Sequence, residues 1–362
     1  MFKLAVTISL IFVLAACSNR TSQKLGVCNN TDGDPSSWVE SLAQEKNFPG
    51  FAVAVGVKDE IIWTHGYGMA DVAKAAPIDP ETTKFRIGST SKALTGFALA
   101  RLAQDSTLDL DMPVNQILTD LPDHYDGITI GQLAGHIGGV RHYKDISELG
   151  NMTEYATSRD ALAIFVNDPL VASPGANYSY STYGYTVISA ALETRYQKPF
   201  LDLMSDTVFD PLGMPNTVPD RLEIVSPERT QFYYLDENKE LIIGDDINSS
   251  NKWAGGGFLS SAKDLANFGL AHFDDNILDA DARALLWTRQ KEAGGGEVPY
   301  GVGWFIEDGW VQHPGGALGG STLLRIYPDE GVVLVLIANL SMRGENRFDD
   351  LPNRLFDCFS EK

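Results

Sequence analysis

Apolar and polar positions divide the chain into three regimes. Residues 36–47 place apolar side chains at helical spacing and predict an amphipathic helix. Phe51-Ala52-Val53-Ala54-Val55-Gly56-Val57 and the run 60–68 predict a hairpin that turns at Lys58-Asp59. The middle, 88–290, reads mainly as helix with long loops. Its segment Ala93-Leu94-Thr95-Gly96-Phe97-Ala98-Leu99-Ala100 is apolar almost all round, which predicts a buried helix. Strand patterns return only late, over 302–307, 309–312, 321–327 and 332–338, and a helix over 347–359 closes the chain. The expected fold is α+β: an antiparallel sheet flanked by terminal helices and interrupted by a mainly helical domain. The sheet domain would be discontinuous, from 35–87 and 291–362, with 88–290 inserted and a ligand cleft at the seam.

The first residues follow a different logic. Lys3 precedes an apolar run, 4–16, that is too short to span a bilayer and reads as a signal peptide over 1–16. Leu14-Ala15-Ala16-Cys17 looks like a bacterial lipobox, so Cys17 is the expected lipidated N-terminus; a plain signal peptide with an incidental cysteine is the alternative. The polar stretch 17–34 reads as a flexible tether. The expected location is outside the cytoplasm, lipid-anchored to a bacterial membrane, at the periplasm or the cell surface.

Composition narrows the function. With 44% hydrophobic and 21% charged residues the chain is globular, and a net charge of -20 argues against nucleic acid or anionic membrane surfaces as partners. Six histidines and the two cysteines left after Cys17 show no clustered ligand spacing, so neither metal nor cofactor is expected. Cys28 and Cys358 are candidates for a disulfide in an oxidising compartment, with two free thiols as the alternative.

Ser-x-x-Lys occurs three times. The pair Ser249/Lys252 lies in a polar stretch and reads as a solvated loop. The pair Ser260/Lys263 opens a helical pattern in which Ser261 and Asp264 already read as a capping box. Ser89/Lys92 differs because it opens the buried helix: residues three apart share a face, and desolvation disfavours the ammonium form, leaving an amine able to act as a general base. A chance pair on a core helix is the competing explanation. Tyr180 follows a Pro-Gly turn near a helix start, where amide groups and a lysine would favour phenolate; a tyrosine packing a turn is the alternative. His313-Pro314-Gly315-Gly316 follows a short strand, and its glycines would let a substrate backbone approach, although the motif alone also fits a turn.

Taken together, Ser89-Thr90-Ser91-Lys92, Tyr180-Ser181-Thr182 and His313-Pro314-Gly315-Gly316 resemble the motifs of the serine β-lactamase and penicillin-binding protein superfamily, in its class C β-lactamase-like branch. Further stretches in the same order include Gly131-Gln132-Leu133-Ala134-Gly135-His136, Pro211-Leu212-Gly213-Met214 and Trp253-Ala254-Gly255-Gly256-Gly257. Arg141-His142-Tyr143 and the run beginning at Lys252 look most like a mitochondrial β-lactamase-like member. The resemblance implies a Ser89 nucleophile activated by Lys92, with Tyr180 moving protons and His313 at the third-motif position. It also implies an oxyanion hole made by the amides of Ser89 and Gly316.

Two departures matter. Thr182 replaces the asparagine that ends the second motif of β-lactamases, and His313-Pro314 replaces a lysine followed by a hydroxyl residue. Strong β-lactamase activity is therefore not expected. Thr182 and Gly315 remain expected substrate contacts, and Arg141 is either a carboxylate ligand or a partner of the acidic surface. If His313 must carry charge to hold substrate, affinity should weaken as pH rises through its titration. His136 reads as a satisfied structural histidine. The expected activity is that of a serine hydrolase acting on small peptides or esters ahead of β-lactam-like substrates. The alternative is a catalytically idle module that binds peptides or self-assembles.

Overall fold

In the computed structural model the described residues are Cys28, 33–221, 228–341 and 347–360. The signal peptide, Cys17 and most of the tether lie outside them.

Seven strands form an antiparallel sheet: β1 (Gly50–Val57), β2 (Glu60–Asp71), β3 (Ala76–Pro77), β4 (Phe305–Ile306), β5 (Val311–Ala317), β6 (Gly320–Tyr327) and β7 (Val332–Ala338). Their order is β3-β2-β1-β7-β6-β5-β4, so the two ends of the chain meet at the centre, with Val53 opposite Leu336. Five helices carry the packing: α1 (Pro35–Lys46), α2 (Ser91–Gln104), α3 (Thr182–Tyr196), α4 (Ala262–Leu270) and α5 (Leu351–Phe359).

β1 and β7 are continuous apolar runs because both of their faces are covered, and the two-residue period of a strand sorts their side chains. Phe51, Val53, Val55, Leu334 and Leu336 pack with Trp38, Val39 and Leu42 of α1 and Leu355 and Phe359 of α5. Ala52, Ala54, Val333, Val335 and Ile337 belong to the other core, with Phe97 of α2 and Leu265 and Phe268 of α4. Small residues bring α4 close: a Cβ on Gly269 would fall 2.4 Å from Val333 Cγ1. Thus α4, although within 88–290, packs on the sheet.

The α+β architecture and the terminal helices agree with the sequence pattern, and the hairpin turns where expected, with Lys58 at φ 61. Three features differ. β5 continues through His313 to Ala317, beyond the expected end at 312. The strand expected over 302–307 shrinks to Phe305–Ile306, because Gly303 turns at φ +82 against the Lys92 carbonyl while Val302 and Trp304 enter the core. Ser249, Ser250, Asn251 and Lys252 are buried rather than solvated, because the Trp253–Gly256 helical turn that follows packs on α2 and α3 and draws them inward.

Cys28 and Cys358 form a disulfide across a sequence separation of 330 residues, tying the tether to α5.

Candidate active site

The Ser89 hydroxyl is presented by a tight turn, Gly88–Thr90, that runs directly into α2. Gly88 has φ +50, and a Cβ there would lie 2.9 Å from the Gly316 amide nitrogen; a Cβ on Gly315 would collide with the Ile87 carbonyl. These glycines let the nucleophile turn and β5 lie side by side, and the hydroxyl of Ser91 donates to the Gly88 carbonyl at 2.7 Å. Ser89 and Gly316 line one cavity.

Lys92 is completely buried. Its Nζ is 2.6 Å from the Gly255 carbonyl, 3.0 Å from Thr182 Oγ1 and 3.4 Å from Ser89 Oγ. Burial pushes its pKa far down, and among the described residues no carboxylate pairs with it. A neutral amine has two hydrogens and one lone pair. With the hydrogens given to Gly255 and Thr182, the lone pair is left for the Ser89 proton.

Tyr180 sits beside this pair, its ring centroid 4.8 Å from Lys92 Nζ. Two histidines set the backbone that carries it: His136 Nδ1 accepts from the Ser181 amide at 3.1 Å, and His142 Nδ1 accepts from the Thr182 amide at 3.1 Å. Ser181 caps α3 by accepting from the Gly184 amide at 2.9 Å. The His136 ring also lies 4.2 Å from the Tyr180 ring between centroids. Acceptance requires neutral rings, and burial supplies them: His136 is driven well below its usual range and His142 to about 4. His136 has the structural role read for it through Nδ1, but it is not fully satisfied. Its Nε2 is buried with no hydrogen-bond partner among the described residues.

Burial raises the Tyr180 pKa, against the opposing pull of its hydrogen bond with Ser89. The expectation of a resting phenolate is corrected, since desolvation outweighs the attraction of a lysine that is itself neutral. Tyr180 is a phenol with a proton to give.

His313 also departs from expectation. It is fully buried, Nε2 accepts from the Tyr300 hydroxyl at 2.8 Å, and Nδ1 donates to the Pro314 carbonyl at 2.8 Å. Burial, with Lys92 nearby, lowers it to about 3, so it carries no charge at neutral pH and is not a cation that holds substrate. Arg141 is likewise spent: it bonds Glu148 through both terminal nitrogens at 2.8 and 3.0 Å and Asp168 through Nε at 2.6 Å. An arginine so engaged braces the loop before α3 and is not an open carboxylate ligand.

The remaining Ser-x-x-Lys pairs separate cleanly. Ser261 caps α4 by accepting from the Asp264 amide at 3.1 Å, and Lys263 reaches Glu81 at the surface. Lys252, read as solvated, instead lines the same cavity as Ser89, Thr182 and Gly316.

The Beta-lactamase family profile matches residues 36–357. The chain belongs to the Beta-lactamase family. The human mitochondrial serine β-lactamase-like protein LACTB is 28% identical across 84% of this chain and 76% of its own length. Protein flp of Staphylococcus aureus strain MW2 is 25% identical across 86% of this chain and 64% of its own. Among solved structures, FmtA from Staphylococcus aureus superposes with a TM-score of 0.76 at 19% identity, covering 93% of both chains. The D-amino acid amidase from Ochrobactrum anthropi SV3 complexed with L-phenylalanine gives 0.75 at 20% identity, covering 90% of this chain and 97% of that one. At these identities the two structures share the fold.

In this member of the family, three contributors escaped the sequence reading. Tyr300 is fully buried and orients His313, and His142 supports Tyr180. Arg347 donates to the Gly315 carbonyl at the far side of the cleft. His142 stood beside Arg141 in the sequence, but only the three-dimensional neighbours of His142 and Tyr300 reveal what their rings do.

Proposed function

We propose that the protein is a serine hydrolase that acylates Ser89 with ester or amide substrates. The observation that supports this most is the Lys92 amine, buried without an acidic partner among the described residues and aimed at Ser89 by two acceptors. In the proposed cycle Ser89 Oγ attacks the substrate carbonyl while its proton passes to Lys92. Charge on the tetrahedral oxygen is met by the amides of Ser89 and Gly316. The carbonyl re-forms as the bond to the leaving group breaks, and that group takes the Tyr180 proton, which Lys92 restores. Water then releases the acid by the same groups in reverse.

The neutral His313 and the threonine at position 182 favour substrates other than β-lactams, because neither supplies the fixed cation nor the amide of the β-lactamase motifs. Membrane attachment through a lipidated Cys17 is part of the proposal, motivated by Leu14-Ala15-Ala16-Cys17. Among the described residues no helix is long and apolar enough to cross a membrane.

A fluorophosphonate probe tests the reading. The expected result is one label, on Ser89, absent in Ser89→Ala; folded wild-type protein that takes no label would overturn it. Intact-mass analysis of the membrane-extracted protein tests the anchor, with a diacylglyceryl addition at Cys17 expected and an unmodified Cys17 contradicting it.

A further inference from the structure

We propose that the cavity beside Ser89 ends in an anion subsite, formed by Arg86 and Lys252, that receives a carboxylate carried on the acyl portion of the substrate. This rests on the acyl-enzyme reading above and adds a substrate class to it.

The cavity, about 150 Å³, has Ser89, Thr182 and Gly316 in its wall together with Arg86, Asp220 and Lys252. Arg86 and Lys252 are each 2% exposed. Arg86 donates from Nε to Asp220 Oδ2 at 2.6 Å and from Nη1 to the Leu318 carbonyl at 2.8 Å, and its guanidinium lies 3.6 Å over the Phe232 ring. Its Nη2 is buried with no hydrogen-bond partner among the described residues. Lys252 donates to the Leu149 carbonyl at 2.5 Å, and among the described residues no carboxylate pairs with it.

Asp220 cannot balance both cations. Its Oδ2 already takes Arg86 and the Ser249 hydroxyl, the latter at 3.4 Å, and its Oδ1 takes Arg229 at 3.1 Å. Arg229 in turn faces the exposed Asp246 at 3.7 Å. Among the described residues the chamber therefore holds one more positive than negative charge, out of water, where an unpaired ion is costly. Part of that cost shows in Lys252, which burial and then Arg86 lower to about 8, leaving it mostly protonated at pH 7. A bound carboxylate would satisfy Nη2 and the free ammonium hydrogens together.

The side of the cleft decides which part of the substrate carries the anion. Tyr180, the proton donor to the leaving group, stacks towards Phe305 at 6.2 Å and is not in the wall of this cavity. The leaving group departs on that side, so the acyl group points into the chamber. Leu149, Ile247 and Leu318 offer an apolar wall to methylenes. The volume admits on the order of five water-sized groups, enough for a short chain with a terminal carboxylate. The substrate class is thus an ester or amide of a short dicarboxylic acid, or of an amino acid acylated through its side-chain carboxyl.

The test uses full-length Ser89→Ala protein, which binds without turnover, with monomethyl glutarate and dimethyl glutarate as probes in calorimetry at pH 7. Monomethyl glutarate is expected to bind at least about tenfold more tightly, as a charge-assisted contact provides. Adding Lys252→Met should erase the preference and Lys252→Arg should restore part of it. Equal binding of the two probes, which needs no second substitution, overturns the subsite, as does a preference that survives Lys252→Met. Fluorophosphonate labelling separates the two readings: labelled Ser89 without anion preference removes the subsite alone. Anion preference without labelling removes the hydrolase reading but leaves the subsite.

Discussion

Two lysines, Lys92 and Lys252, stand three residues after a serine and both are buried, Lys92 behind Ser89 and Lys252 in the wall of the cavity, yet the surroundings give them different chemistry. Lys92 lies on a regular helix, so the spacing of three places its amine over Ser89, and its hydrogens are drawn away by Gly255 and Thr182. Lys252 lies at an irregular turn with φ -152, where the same spacing yields only a backbone bond from its amide to the Ser249 carbonyl. Ser249 turns to Asp220 instead. Burial drives the Lys92 amine far down, towards the neutral form the proposed base needs, while Lys252, lowered to about 8, remains a cation at pH 7. A motif written as a spacing has chemical content only when the backbone converts that spacing into a shared face.

The sharpest break of this contrast is substitution of both lysines. Lys92→Ala should slow acylation of Ser89 by about 10³-fold, within the 10²–10⁴ range of a positioned proton acceptor, measured as the rate of phosphonate labelling. The loss should exceed that of Lys252→Met by at least about 100-fold; equal losses would dissolve the distinction. Next in size is Tyr180→Phe. It should reduce amide turnover by about 100-fold but nitrophenyl ester turnover far less, because a nitrophenolate leaves without a proton. A uniform loss would assign Tyr180 to binding.

Thr182→Val removes one of the two acceptors that steer the Lys92 lone pair, and should cost roughly tenfold in acylation, the worth of one hydrogen bond. No change would mean that Gly255 alone suffices. The smallest effect concerns stability. Lys252 has a folded pKa of about 8 and an unfolded one near 10.5, so between those values the unfolded chain holds more protons. Its burial therefore destabilises below pH 8, and that deficit shrinks as pH rises. Wild type should gain about 1 kcal/mol over Lys252→Met between pH 7 and pH 9 in urea unfolding. Arg86, Asp220 and, across the cavity, His142 face this amine, and the lowering by Arg86 acts with burial. A difference that does not change with pH would show that Lys252 stays fully protonated.

Much of the architecture was legible because periodicity reports burial. The unbroken apolar runs 51–57 and 332–338 carry both cores, and the apolar run after Lys92 demanded enclosure. The failures share a cause. Phenolate at Tyr180 was expected from nearby amides and a lysine, and a charged His313 was weighed from its ordinary titration range, whereas desolvation in the folded site makes both neutral. Arg141 was left between two readings, carboxylate ligand or partner of acidic side chains, and the pairing with Glu148 and Asp168 is made by loops of no regular pattern. Lys252 read as solvated because its neighbours in the chain are polar. Its neighbours in space are Leu149, Arg86 and Asp220.

The sequence by itself determined most of the elements, the family and the pairing of Ser89 with Lys92, since these depend on short spacings that a helix or strand turns into geometry without further help. Only the tertiary structure decided which titratable groups are charged, which cations are already paired, and that a discarded serine–lysine pair walls the cleft. Desolvation and ion pairing depend on what surrounds a side chain from all directions, and that surrounding is assembled from turns and loops whose approach no local pattern announces, whether 7 positions away, as Glu148 is from Arg141, or 163, as Gly255 is from Lys92.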